Sequence, residues 1–144
     1  MDARKPEDAR QLANELADFL RPAVARIATL RTLSSGKVGV LRHLSVHERA
    51  SGAELAEAIG VSAQAISLVT KELQGLAYIE RQPDESDRRR TWFVLTEQGR
   101  DRLAAEIAVS RGWLASVIEE RLTAAERAEL AAVMPLLDRL VADR

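Results

Sequence analysis

Ser62, Gln64, Ser67, Thr70 and Lys71 fall within ten residues, in a stretch otherwise built of Ala, Ile, Leu and Val. Hydroxyl, amide and ammonium groups at this spacing pair no nucleophile with a base, but they do suit hydrogen bonding to base edges and phosphates. Asp87, Arg88, Arg89 and Arg90 follow in the polar segment PDESDRRR. Guanidinium groups gathered on a projecting loop are drawn to the negative potential of a narrow minor groove. A carboxylate two residues before Arg89 can hold that side chain in one direction.

The elements that must carry these groups are legible around them. Ser51 and Glu54 form a capping box that opens one helix, and Gly60 ends it. Ser62 caps the next, which runs to about Gln74 with Ile66, Val69 and Leu73 inward and Ala63, Gln64, Ser67, Thr70 and Lys71 on the outer and flanking faces. Ala56, Gly60, Ile66 and Val69 have helix-turn-helix spacing: a small residue where two helices cross, a glycine in the turn, and two branched anchors. Tyr78 to Gln82 and Thr91 to Leu95 read as the two strands of a hairpin whose loop is PDESDRRR.

Asp87, Arg89, Leu95, Thr96 and Gly99 make the pattern D-x-R-x5-L-T-x2-G. With the preceding helix-turn-helix it resembles the MarR family of winged-helix transcriptional regulators, strongly from Leu55 to Leu103 and only in helix order at the ends. The resemblance implies DNA contacts from Ser62, Gln64, Ser67, Thr70 and Lys71, and wing contacts from Arg88 and Arg89, with Arg90 beside them. Two positions depart from the pattern. Leu68 stands where many relatives carry arginine or another polar residue, and Ala77 where relatives end the helix with glycine, so Gly75 is the alternative terminator.

The flanks read as helices. Leu12, Leu16, Phe19, Leu20, Val24, Ile27 and Leu30 recur at three and four within a first helix over 7 to 33, with a kink expected near Phe19 to Pro22. Lys37 to His47 reads as a second helix. Thr96 caps a long fifth helix to about Leu122, and a Thr123/Glu126 capping box opens a last one carrying Leu130, Val133, Met134, Leu137, Leu140 and Val141. The expected fold is mainly α: one domain over 1–144, with a winged helix-turn-helix at 35–100, a two-stranded β wing, and long N- and C-terminal dimerisation helices at 1–34 and 101–144. Relatives pair such terminal helices between subunits, so a homodimer is implied.

Composition bounds the function without deciding it. The 144 residues carry 21 basic and 22 acidic side chains, a formal net charge of -1, so the case for nucleic acid rests on arrangement. Zero cysteines exclude a disulfide framework, a thiolate zinc site and thiol redox sensing. No apolar run approaches a membrane span and MDARKPEDAR lacks a signal-peptide core, which places the chain in the cytoplasm. His43 and His47, four apart, could face one metal ion, but Glu48 is the only adjacent carboxylate, and neither a metal site nor a cofactor is expected. The resemblance implies a small-molecule pocket near the first, second and fifth helices, with His43, His47 and Trp113 as candidate contacts.

The resulting expectation is a homodimeric repressor of a palindromic double-stranded operator, released by a small aromatic or amphipathic effector, with no membrane role. The alternative is a winged-helix protein-interaction module. An uncharged polar helix face beside Arg88 to Arg90 argues against it. An enzyme lacks support, since no nucleophile-base motif or phosphate loop occurs.

Overall fold

The computed structural model describes residues 9–87 and 89–142. In order along the chain these form α1 (Ala9–Leu30), α2 (Ser35–Val46), β1 (Ala50–Ser51), α3 (Gly52–Ile59), α4 (Ala63–Gly75), β2 (Ile79–Pro83), β3 (Thr91–Leu95), α5 (Glu97–Arg121) and α6 (Ala124–Val141). They fall into two compact units, one ending at Ile107 and one beginning at Ala108.

In the first unit, α2, α3 and α4 close around Leu41, Leu55 and Leu73, each fully buried, with Val40, Ile66, Ile79 and Phe93 against them. Gly60, at φ 72°, makes the left-handed turn between α3 and α4, and its amide donates to Ala56 O at 3.0 Å. Ser62 Oγ accepts the Ala65 amide at 3.1 Å, which fixes where α4 starts. Lys37 Nζ meets Glu72 at 2.7 Å and ties α2 to the back of α4.

The far end of α4 terminates as a Schellman motif. Tyr78 N donates to Leu73 O and Ala77 N to Gln74 O, with Ala77 itself at φ 59°. The helix thus runs through Gly75, and the left-handed position falls on an alanine.

The sheet has three strands in the order β1-β3-β2, all antiparallel, where a two-stranded wing is expected from the sequence. The extra strand is two residues long, pairing Ala50 with Phe93 and Ser51 with Trp92. Two residues offer no period-2 signal.

A second difference lies in α1, which continues through Pro22 without the expected break. Pro22 and the turn before it are exposed, so the carbonyl that loses its partner is solvated and the helix resumes. Pro135 sits inside α6 in the same exposed setting.

One polar cluster joins α5 to the end of α1. The buried Glu106 carboxylate accepts Thr32 N at 3.1 Å, Thr32 Oγ1 at 2.5 Å and Arg102 at 2.7 Å, and Arg102 also donates to the Thr32 hydroxyl. Burial pushes this carboxyl up. Bonds from the Thr32 hydroxyl and the Leu33 and Thr32 amides, then the Arg102 charge, outweigh burial and leave it below its ordinary value.

In the second unit, the later half of α5 leads to α6. Thr123 and Glu126 cap α6 reciprocally, Glu126 accepting the Thr123 amide at 2.8 Å. No residue of α6 is buried. Among the described residues, no helix is long and apolar enough to cross a membrane.

Candidate nucleic-acid interface

The outward face of α4 carries exposed Gln64, Ser67, Leu68 and Lys71 behind the Ser62 cap. Free amides of the first turn stand beside Gln64, where the helix dipole favours an anion. Thr70 departs from the expected set. It is buried at 3% exposure, and its hydroxyl donates within α4, to Ile66 O at 2.9 Å and Ser67 O at 3.1 Å. A threonine can bury this way because the preceding turn supplies its acceptors.

The wing loop is organised by a residue that the sequence reading passed over. Asp84 Oδ1 accepts the amides of Ser86 and Asp87, both at 2.9 Å, and the Ser86 hydroxyl at 2.7 Å, while Oδ2 accepts the Trp92 indole N–H at 2.7 Å. Led by the Ser86 hydroxyl and the indole, these donors hold the carboxyl far below the usual range. Asp87 also works on the backbone: its Oδ1 accepts the Arg89 amide at 2.9 Å, and its carbonyl accepts the Arg90 amide at 2.9 Å. It therefore shapes the turn and does not pair with the Arg89 guanidinium, the contact expected for it.

Trp92 lies outside the contiguous apolar cluster that holds Phe93, yet it is only 9% exposed. Two cations cover it. Arg49 Cζ lies 4.4 Å and Arg90 Cζ 5.2 Å from the indole ring centroid. Arg90 is thus held at the base of the wing, while Arg89 is exposed in the turn and Arg88 lies outside the described residues. Neither Arg49 nor Trp92 carried a signal in the sequence, since their meeting depends on β1 pairing with β3.

Because the lowered group is an acid, the wing order it supplies is complete above the ordinary carboxylate value of about 3.9 and is lost as pH falls toward the lowered one. With Trp113 replaced by Phe, Trp92 emission should hold steady from pH 7 to about 4 and shift only below that. Asp84→Ala should shift emission at neutral pH and expose the bonds after Arg89 and Arg90 to trypsin. An unchanged spectrum and digestion pattern would remove Asp84 from this role.

A concavity lies elsewhere, between α2 and α3. The His43 and His47 rings are 4.2 Å apart and line one concavity of about 360 Å³ together with Arg42, Val46 and Ile59. Burial, then the His47 charge, lowers the pKa of His43, against the opposing Glu54 charge. Trp113 is half-buried on α5 in the unit that begins at Ala108. Among the described residues, no three His, Cys, Asp or Glu side chains group as metal ligands.

Two helices joined by a left-handed turn at Gly60, followed by an antiparallel hairpin, define a winged helix-turn-helix protein. Residues 32–90, the stretch from the turn before α2 to the wing loop, match the model of the MarR family. Comparison with curated protein sequences finds no match. Among solved structures, a Pseudomonas aeruginosa protein is 25% identical over 93% of this chain and 95% of its own, with a TM-score of 0.80. The transcriptional regulator BldR of Sulfolobus solfataricus is 24% identical over 94% of this chain and 99% of its own, TM-score 0.65. Bordetella bronchiseptica BpsR, whose DNA binding is regulated by 6-hydroxynicotinic acid, is 19% identical over 86% of this chain and 98% of its own, TM-score 0.60.

Proposed function

We propose that the chain is a cytoplasmic homodimeric repressor that binds a palindromic duplex operator through α4 and the β2–β3 wing, and that a small aromatic or amphipathic molecule releases it. The observation that carries this reading is the exposed polar face of α4, capped by Ser62, next to a wing loop bearing Arg89. Gln64 and Ser67 are the proposed base contacts, Ser62 and Lys71 the phosphate contacts, and Arg88 and Arg89 the minor-groove contacts.

Dimerisation is supported by apolar side chains that the single chain leaves in water: Phe19, at 65% exposure, and Val24 on α1, and Met134 and Leu140 on α6. A second copy would cover them and double the DNA-contacting area. The effector reading is supported by the His43–His47 concavity, where two imidazoles and Arg42 flank an apolar Ile59 floor.

Selecting bound duplexes from random DNA with purified protein tests the whole reading. A palindrome with half-sites centred about 10 base pairs apart is expected. An asymmetric single site, or no enrichment, would overturn it. Two substitutions then separate positioning from reading. Arg89→Ala should weaken binding to all sequences and lower the salt slope by about one. Gln64→Ala should cost about 1–3 kcal/mol on the selected operator and much less on random duplex.

A further inference from the structure

Leu68 is 59% exposed in the middle of α4. It follows Gln64 by four residues and precedes Lys71 by three, so all three share one stripe. At 3.6 residues per turn that stripe lies nearly opposite Ile66, Thr70 and Leu73, which face the core. The other exposed large apolar side chains of residues 31–107 sit at element ends: Val46 closes α2, Val61 precedes the Ser62 cap and Leu76 caps α4. Leu68 alone stands mid-helix on the face with the hydrogen-bonding residues.

A leucine cannot answer the acceptors and donors that guanine, cytosine and adenine present in the major groove. Covering them would strip their water and return no bond. The one apolar group on any base edge there is the thymine C5-methyl. Resting on the operator-binding reading above, we infer that Leu68 is a specificity-determining residue that packs on a thymine methyl. Each half-site therefore holds a T·A pair at a fixed position next to the pair read by Gln64. Gln64 favours adenine through its two-point amide, so the neighbouring residues together select an A/T step.

The test uses the full chain and the operator recovered by selection, resynthesised with deoxyuridine in place of thymidine at one symmetric pair of positions at a time. Uracil pairs as thymine does and lacks only the methyl. For the unsubstituted protein one such pair should weaken binding by about 4-fold per half-site, or about 15-fold for both, the effect of withdrawing a single methyl from apolar contact. Leu68→Ala should bind the thymidine and deoxyuridine operators alike, and Leu68→Met should restore the difference. Since Leu68 is exposed, neither substitution should change the melting temperature, which separates loss of reading from loss of fold. If an operator is selected and no thymine methyl matters, or if Leu68→Ala keeps the full penalty, the assignment of Leu68 is overturned while the regulator reading stands. If no duplex is enriched, the regulator reading falls and takes this one with it.

Discussion

Gly99→Ala should destabilise the protein by about 3 kcal/mol and shift its urea midpoint downward, although alanine is the better helix former. Helix propensity alone favours alanine by about 1 kcal/mol at an interior position. Packing decides otherwise. A Cβ at residue 99 would stand 2.0 Å from the Tyr78 carbonyl oxygen, 2.8 Å from its carbon and 2.9 Å from Leu95 Cδ1. That carbonyl cannot easily move, because it accepts the Thr96 amide at 3.1 Å and follows directly on the Schellman turn that ends α4. The clash must open the contact between the end of α4, the exit of the wing and the start of α5, so the proposed DNA binding should weaken along with stability. A variant as stable as the parent would show that this junction is loose and that Gly99 has another explanation.

Gly99 also shows what kind of information the D-x-R-x5-L-T-x2-G pattern holds. Its second half is geometric. Thr96 caps α5 through the Gly99 amide at 2.9 Å, and its hydroxyl reaches back to Ala77 O at 2.7 Å, so Leu95, Thr96 and Gly99 join α4, wing and α5 without facing the outward stripe of α4. The caps were legible because a cap is local: Ser51, Ser62, Thr96 and Thr123 each bond an amide three residues on. The close approach to Tyr78 was not legible, since it depends on a carbonyl 21 residues earlier whose position only the fold defines.

The differences at Thr70, Pro22, Asp84 and Trp92 also come from contacts that only the fold defines. Thr70 falls at the edge of the inward stripe, where helical phase alone does not decide burial. Its hydroxyl can be satisfied inside α4, and that removes the usual cost of burying it. Pro22 predicts a break from the chain alone, and only the fold shows that the affected turn is solvated. Asp84 and Trp92 read as one more loop acid and one more strand aromatic. Their hydrogen bond at 2.7 Å crosses the hairpin, and Arg49 approaches from the residue just before β1, a strand too short to be foreseen.

Glu106 is the most consequential residue that sequence reading passed over, and its removal carries the second large effect expected here. On α5 it reads as one of 22 acids, yet it is 4% exposed and receives every polar group at the α1–α2 junction that can donate to it from Thr32, together with Arg102. Glu106→Ala would leave the Thr32 and Leu33 amides without that acceptor and the guanidinium without its carboxylate, with only the Thr32 hydroxyl still accepting from it. Breaking a buried pair costs about 3–5 kcal/mol, but Arg102 is 32% exposed and water can reach it, so a loss of about 2–3 kcal/mol is expected. Glu106→Gln keeps one acceptor and turns the other into a donor facing donors, so it should fall between alanine and the parent. The sign of the pH effect follows from the lowered pKa. The contribution is whole above the ordinary carboxyl value of 4.5 and disappears as pH falls below it toward the lowered value. Urea titrations at pH 7 and below pH 4 should therefore show a large gap between parent and Glu106→Ala at neutral pH and a smaller one in acid. Equal gaps at both would mean that the carboxylate charge contributes nothing and that Glu106 acts only by filling space.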